Sequence, residues 1–230
     1  MSQSYPPYRN RTHAGQVLAE TLKNVLGNRK DLLVLALPRG GVPVAYEIAA
    51  ALSVPLDLLL VRKLGLPGHE ELAMGAIASG GVRVMNENVV GPLGIPPALV
   101  ERVARREEVE LERRQREYRG NRPLPQVQGR CVIVVDDGLA TGASMRVAVA
   151  ALRQQKPARI VVAVPVAPPD TVRLLAREAD EVICPATPEP FFGVGQWYDN
   201  FDQTDDEEIR RLLDLAWGQG VGHVRENNAT

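Results

Sequence analysis

Short apolar runs alternate with amphipathic segments along most of the chain, a pattern typical of an α/β protein built around a parallel sheet. The runs are rich in Val, Ile and Leu, as expected for strands buried on both faces. They predict five strands, at residues 32–37, 56–64, 131–135, 159–166 and 181–184. The amphipathic segments predict helices at residues 12–26, 44–52, 144–153, 169–179 and 205–217. Because helices that link parallel strands cover both faces of the sheet, we predict an open, mainly parallel, five-stranded, doubly wound sheet.

Residues at the helix ends support these boundaries. Thr12 is the expected N-cap of the first helix, and Gly27 is the residue expected to end it. Residues 204–207, Thr-Asp-Asp-Glu, match the capping-box pattern and predict the start of the last helix.

The middle of the chain, residues 77–125, has a different character. Residues 82–90 predict a small antiparallel pair of strands, and residues 96–118 predict one long helix with two prolines at its start. Between Glu101 and Glu117 the chain carries six Glu and six Arg, several at the i,i+4 spacing that favours ion pairs. We interpret this helix as solvated and held by mixed charges; a partner-binding or acceptor-screening surface is the alternative.

The domain organisation follows from these elements. We interpret residues 1–217 as a single domain, in which residues 65–125 form a hood or insert that includes the long charged helix. Residues 218–230, which contain several Gly and Asn, are expected to form a flexible C-terminal tail.

Composition excludes several classes of function. The chain has 27 Lys and Arg against 28 Asp and Glu, so its overall charge gives no basis for nucleic-acid binding. Its two cysteines are isolated, which indicates reduced thiols, and its three histidines lack metal-ligand spacing. No run approaches about 18 uninterrupted apolar residues, and no apolar leader opens the chain. We therefore expect a cytoplasmic protein that binds neither nucleic acid nor membrane.

The most informative stretch is residues 132–144, VIVVDDGLATGAS. Asp136 and Asp137 follow a buried strand and would emerge at the carboxyl edge of the sheet, where open α/β folds bind ligands. Two carboxylates can accept hydrogen bonds from neighbouring hydroxyls or face a divalent metal. The small residues 140–144 let backbone N–H groups approach an anion, and the following helix directs its positive end toward it. This combination predicts a sugar-phosphate site.

On these residues the sequence resembles the type I phosphoribosyltransferase family, and the resemblance spans roughly Tyr8 to Phe201. It is strongest with stand-alone bacterial members in which ALPRGGVPVA, VRKLG, VDDGLATGAS and a WYxxF terminus occur together. The resemblance implies a phosphoribosyl pyrophosphate site, with Asp136 and Asp137 on the ribose 2′ and 3′ hydroxyls. The loop implied around the 5′-phosphate consists of Ala140, Thr141, Gly142, Ala143 and Ser144. It also implies a Mg²⁺ cofactor held through substrate and water, with Asp136 and Asp137 as possible ligands, and a homodimer.

A second motif, LPRGGVPVA, places an arginine and two glycines at the end of the first strand. Glycines permit close approach of an oxyanion, and arginine offers a fork of donors to phosphate oxygens. The resemblance implies that this turn is the pyrophosphate loop, often with a cis peptide bond before a residue other than proline. We therefore predict that Arg39, Gly40 and Gly41 contact pyrophosphate; the alternative is an ordinary turn with a surface arginine.

Two further cations, Arg62 and Lys63, are expected at the end of the second strand. Cations there could neutralise departing pyrophosphate, and members of the family use a similar basic pair before a flexible catalytic loop; alternatively, both residues only solubilise a strand end. Residues 65–75, GLPGHEELAMG, depart from the basic loops of many members because Glu70 and Glu71 lie at their centre. Whether this segment closes over the site is left open.

Residues 188–201, PEPFFGVGQWYDNF, contain five of the ten aromatic residues. In the family, the loop after the last core strand commonly contributes to the acceptor site, so Phe191, Phe192 or Trp197 could stack on the acceptor. Equally, these aromatics could hold the terminal segment against the core.

These observations lead to one functional hypothesis and one alternative. The hypothesis is Mg²⁺-dependent transfer of the 5-phosphoribosyl group from phosphoribosyl pyrophosphate to a small nitrogenous acceptor, a nucleobase or amine, with release of pyrophosphate. In it, Asp136, Asp137, Arg39, Arg62 and Lys63 act in catalysis. The alternative is a non-catalytic sensor of phosphoribosyl pyrophosphate. A nucleotide kinase or a dehydrogenase is disfavoured because neither GxxxxGK[ST] nor GxGxxG occurs.

Overall fold

The computed structural model describes residues 8–27 and 29–218. The strands in these residues are β1 (Leu32–Ala36), β2 (Leu56–Leu58), β3 (Val61–Leu66), β4 (His69–Ala78), β5 (Val82–Met85), β6 (Cys131–Val135), β7 (Arg159–Ala163) and β8 (Glu181–Ile183). The helices are α1 (Arg11–Leu26), α2 (Gly41–Leu52), α3 (Glu87–Val90), α4 (Pro97–Arg119), α5 (Ala143–Gln154), α6 (Pro169–Leu175) and α7 (Asp206–Gly218), and a 3₁₀ turn spans Val194–Trp197. The predicted tail beyond residue 218 lies outside the described residues.

The main sheet has five parallel strands in the order β2-β1-β6-β7-β8, which confirms the predicted fold class. Every residue of β1 and β6 is buried. Alternate residues along these strands face opposite sides, so the sheet has two apolar faces. Helices α1, α2, α4 and α7 share one hydrophobic core with the face that includes Val34 and Ile133, and α5 and α6 share the other core with the face of Leu33 and Val132.

The predicted second strand, residues 56–64, is wrong as a single element. The chain leaves the main sheet after β2 and continues as β3, which belongs to a separate antiparallel sheet in the order β3-β4-β5. The apolar run hides this switch because Leu59 and Leu60, between the two strands, are also buried. Strand β4 was not predicted, since its first four residues are exposed and only its second half is apolar and buried.

Three smaller predictions need correction. Residues 82–90 do not form a strand pair: β5 pairs with β4, and the remainder forms the short helix α3. Thr12 is not the cap of α1, because Asn10 Oδ1 accepts the hydrogen bond from the His13 N–H at 2.9 Å. At α7 the Glu208 N–H donates to Asp205 Oδ1 at 2.7 Å, one residue later than the predicted capping position.

The long helix α4 is bound to its surroundings by charged side chains. Its expected i,i+4 pairs are present, including Glu101 with Arg105 at 3.1 Å. Other ion pairs reach the second sheet, where Arg83 of β5 contacts Glu101 and Glu108, each at 2.7 Å. At its end, the buried Arg119 guanidinium donates to Asp57 Oδ1 of β2 at 2.5 Å. The prediction of a solvated helix therefore holds only for the outer face of α4, because its other face is bound to the two sheets.

Within residues 8–27 and 29–218, no helix is both long enough and apolar enough to cross a bilayer.

Candidate phosphoribosyl site

Two sequence motifs meet at the carboxyl edge of the main sheet. Ala36 of β1 lies opposite Val135 of β6, so the chain leaves both strands side by side. A Cβ atom added to Gly40 would lie 1.9 Å from Asp137 Oδ2, and one added to Gly41 would lie 2.6 Å from the Val135 carbonyl oxygen. The arginine-glycine turn therefore packs directly on the aspartate pair, and glycine is required there because no side chain fits.

The aspartate pair is largely enclosed. The Asp137 N–H donates to Asp136 Oδ1 at 2.9 Å, and the Tyr198 hydroxyl donates to the Asp137 carbonyl oxygen at 2.5 Å. Burial and the neighbouring Asp137 carboxylate raise the pKa of Asp136 well above its ordinary value. Burial also raises the pKa of Asp137, although the Arg11 guanidinium opposes that rise. Two adjacent carboxylates thus share one cation, which suits a site that receives positive charge.

Arg11, the cation in contact with this pair, was missed by sequence reasoning. Its Nε–H donates to Asp137 Oδ2 at 2.8 Å, and its side chain is only 12% exposed. The first residue of a helix gives no periodic signal, and the pair joins residues 126 positions apart. The one available signal was that Arg11 lies within the segment, Tyr8 to Phe201, over which the sequence resembles the family.

The predicted phosphate loop forms a strand-to-helix turn. Gly142 adopts a left-handed conformation, with φ of 69°, immediately before α5. Thr141 and Ser144 are exposed, while the Thr171 hydroxyl donates to the Ala140 carbonyl oxygen at 2.6 Å and supports the loop from α6. Because the first N–H groups of a helix have no intrahelical acceptor, this turn presents donors to an anion.

The arginine-glycine turn contains the cis peptide bond that the resemblance implies, between Pro38 and Arg39. The Arg39 side chain is 40% exposed, and its Nη1 lies 3.9 Å from Asp206 Oδ1 at the start of α7. This contact is loose, so the guanidinium is accessible to an anionic ligand.

The second basic pair does not lie where it was expected. Arg62 and Lys63 are in β3 of the antiparallel sheet, because the predicted strand 56–64 is split in two. Arg62 donates to Glu107 Oε2 of α4 through Nη2 at 2.5 Å and Nε at 2.9 Å. Lys63 is exposed, has no ion-pair partner among the described residues, and lines a cavity of about 680 Å³ between the antiparallel sheet and α5. That cavity also reaches Ala143 and Glu71.

The C-terminal aromatic segment is partly built into the core. Tyr198 and Phe201 lie with ring centroids 4.9 Å apart, beside the site carboxylates. Phe191 and Trp197 are partly buried against the same cluster, whereas Phe192 is 79% exposed. The segment therefore does hold the terminus against the core, and the acceptor role of Phe191, Phe192 and Trp197 stays a prediction.

The donor set fits a metal ion carried mainly by a ligand. Asp136 and Asp137 offer carboxylate oxygens, the ligands that Mg²⁺ prefers, but no group of three or more His, Cys, Asp or Glu gathers in the described part of the chain. Mg²⁺ usually retains waters and binds through one or two carboxylates plus substrate phosphates. The residues present fit that arrangement.

The fold and this site define a phosphoribosyl transferase domain: the family of that description matches residues 9–196, and the chain belongs to it. The resemblance to type I phosphoribosyltransferases is thereby confirmed. Two proteins of Mycobacterium tuberculosis, MT0597 and Rv0571c, are provisionally named phosphoribosyl transferases and are each 46% identical to this chain over 209 residues. The alignment covers 91% of this chain and 47% of each relative, so the chain spans about half their length. The crystal structure of TT1426 from Thermus thermophilus shares 43% identity and a TM-score of 0.81, covering 90% of this chain and 97% of that one.

Proposed function

We propose that this protein transfers the 5-phosphoribosyl group from phosphoribosyl pyrophosphate to a small nitrogenous acceptor, a nucleobase or an amine, and releases pyrophosphate. The observation that carries the proposal is the direct packing of Gly40 and Gly41 on Asp136 and Asp137. This packing brings the arginine-glycine turn and the carboxylate pair, which is followed by the start of α5, to one edge of the sheet, and the proposal assigns pyrophosphate, ribose hydroxyls and 5′-phosphate to them in that order.

Each part of the substrate has matching groups. Asp136 and Asp137 would accept hydrogen bonds from the ribose 2′ and 3′ hydroxyls. Backbone N–H groups of residues 140–144, with the hydroxyls of Thr141 and Ser144, would bind the 5′-phosphate. Arg39 and the backbone at Gly40 and Gly41 would bind pyrophosphate.

The chemical difficulty is charge separation at the ribose C1. As the bond from C1 to the pyrophosphate oxygen breaks, its electron pair leaves with pyrophosphate, and the ribosyl centre becomes positive until the acceptor nitrogen bonds from the opposite face. Arg39 and Lys63 would stabilise the leaving anion, and the carboxylates would stabilise the positive sugar. Neutralisation of pyrophosphate charge is the chemistry that Mg²⁺ supplies when bound, and Asp136 and Asp137 would hold it directly or through water.

The remaining roles are proposals that follow from position. Arg62 would act on the leaving group only if its ion pair with Glu107 opened, so Lys63 is the better candidate of the two. Phe192, which is exposed, is the better candidate to stack on an acceptor, and Phe191 and Trp197, which are partly buried, are the other two candidates. We further propose a cytoplasmic homodimer, as the family resemblance suggests.

The direct test is pyrophosphate release by the purified protein incubated with Mg²⁺, phosphoribosyl pyrophosphate and a panel of purines, pyrimidines and amines, each against a reaction without acceptor. We expect acceptor-dependent release, reduced about 10²- to 10³-fold in kcat/KM by Asp136→Asn. Asp214→Asn, which removes an exposed carboxylate of α7, is the matched control and should leave release unchanged. Saturable binding of phosphoribosyl pyrophosphate without release across the panel would favour the sensor instead.

A further inference from the structure

Arg11 is held by three different groups of the molecule. Its Nε–H donates to Asp137 Oδ2 at 2.8 Å, and its Nη1 donates to the Asp202 carbonyl oxygen at 2.6 Å. Its guanidinium carbon lies 4.0 Å from the centroid of the Phe201 ring, within cation-π distance. A guanidinium held this way has little rotational freedom, so it fixes the oxygen to which it donates.

The C-terminal segment that holds Arg11 also contacts Asp137 independently. Phe201 packs against Tyr198, whose hydroxyl donates to the Asp137 carbonyl oxygen. The same segment is joined to the start of α1 by backbone hydrogen bonds, since the Asn200 N–H donates to the Arg9 carbonyl oxygen at 3.0 Å. Residues 198–202 therefore hold Asp137 in two ways. Tyr198 hydrogen bonds to its backbone, and Asp202 and Phe201 hold Arg11, which hydrogen bonds to its carboxylate.

The two oxygens of the Asp137 carboxylate are consequently unlike each other. Asp137 Oδ2 is occupied by Arg11 and lies so close to Gly40 that an added Cβ would be 1.9 Å away. Asp137 Oδ1 accepts no hydrogen bond from an N–H group or a cation of the described residues, and the Asp136 carboxyl lies within hydrogen-bond reach of the Asp137 carboxylate. The carboxylate thus has one oxygen fixed by a cation and one that no cation holds.

We propose that Arg11 is a positioning residue of the ribose site, which orients Asp137 so that its remaining oxygen receives a ribose hydroxyl. The proposal rests on the proposed function. Because Arg11 donates a charge-assisted hydrogen bond to Asp137, that residue acts mainly as a fixed hydrogen-bond acceptor. A fixed acceptor contributes equally before and during bond breaking, so it should affect KM for phosphoribosyl pyrophosphate more than kcat.

The test combines calorimetric binding of phosphoribosyl pyrophosphate with steady-state kinetics on Arg11→Met, Arg11→Lys and Asp137→Asn, singly and as the double variant R11M/D137N. We expect Arg11→Met to raise Kd and KM for phosphoribosyl pyrophosphate by about tenfold to a hundredfold, with a smaller change in kcat. Arg11→Lys should recover only part of the loss, because an ammonium lacks the planar fork. The double variant should bind no more weakly than Asp137→Asn alone, since Arg11 acts through Asp137.

Arg9→Met is the matched control, because the Arg9 side chain is exposed and its carbonyl contact survives the substitution. Thermal unfolding of each variant identifies loss of folded protein. Two results would overturn the positioning role while leaving the proposed function intact. One is that Arg11→Met lowers Tm but leaves Kd and KM unchanged. The other is that the losses of binding free energy in the two single variants add in the double variant. Absence of binding by the wild-type protein would overturn both.

Discussion

Replacing Gly40 with alanine places a methyl group where the site has no room. The new Cβ would lie 1.9 Å from Asp137 Oδ2, and restoring an ordinary contact of 3.4 Å requires the two to separate by about 1.5 Å. The Asp137 side chain cannot move away freely, because Arg11 donates a hydrogen bond to the same oxygen. A misplacement of about 1 Å in a binding group can cost about 10²-fold in rate, equivalent to about 2.7 kcal/mol. We therefore expect Gly40→Ala to lower kcat/KM for phosphoribosyl pyrophosphate about a hundredfold, measured by pyrophosphate release.

Gly15→Ala separates this effect from a loss of stability. Gly15 lies where α1 crosses α2, and its added Cβ would be 2.7 Å from the Val44 carbonyl oxygen, so this substitution is also crowded but lies between two helices. We expect Gly15→Ala to lower Tm and leave KM unchanged in the folded protein. The reasoning would be refuted if Gly40→Ala had an unchanged Tm and a kcat/KM for phosphoribosyl pyrophosphate within about threefold of wild type. A factor of three corresponds to only about 0.7 kcal/mol.

Three further predictions concern the buried ion pair, the phosphate loop and the acceptor. Burial raises the pKa of Asp57 to about 6 despite its contact with Arg119, so the stability that this group contributes is complete below about pH 4 and is lost as pH rises through about 6. Between about pH 4 and pH 7.5, the unfolding free energy of the wild-type protein, measured by denaturant titration, should fall by about 3 kcal/mol more than that of Asp57→Asn. If the unfolding free energies of the two proteins change with pH in parallel, this prediction is contradicted. Thr141→Ala removes an exposed hydroxyl from the loop and should weaken calorimetric binding of phosphoribosyl pyrophosphate about tenfold without changing Tm, whereas an unchanged Kd would exclude that hydroxyl from the phosphate site. Phe192→Ala should leave Tm and the KM for phosphoribosyl pyrophosphate unchanged but raise the acceptor KM several-fold, and no change in the acceptor KM would remove Phe192 from that site.

The parts of the site that were predicted are those that lie together in the sequence. Strand β6 is one unbroken run of five buried residues, and the aspartates and phosphate loop follow it directly. Local composition is sufficient here, because the same short segment supplies both the strand and the groups at its end. The turn at Arg39 was predictable for the same reason, since its glycines follow the end of β1 after three residues.

The boundary between the two sheets was not predictable from composition. Residues 56–61 are apolar except for Asp57, and that carboxylate is buried beside Arg119, which lies 62 positions later. Burial on both faces gives the same sequence pattern whether a strand continues or a new one begins. Only tertiary hydrogen bonding decides between the two, so the switch after Leu58 left no local signal.

Whether a cation is free to bind substrate also depends on its tertiary contacts, which the sequence does not show. This changes which cations are expected to face pyrophosphate. In the sequence, Arg62 and Lys63 look equivalent, and the six glutamates of α4 look like partners for arginines of the same helix. In the fold, Glu107 is only 11% exposed on its side chain and pairs with Arg62, so α4 holds the antiparallel sheet and occupies that arginine. Lys63 is exposed and lines the cavity that reaches Ala143 at the start of α5. Compensation of pyrophosphate charge in the proposed reaction therefore falls to Arg39, in the turn after β1 of the main sheet, and to Lys63, on β3 of the antiparallel sheet.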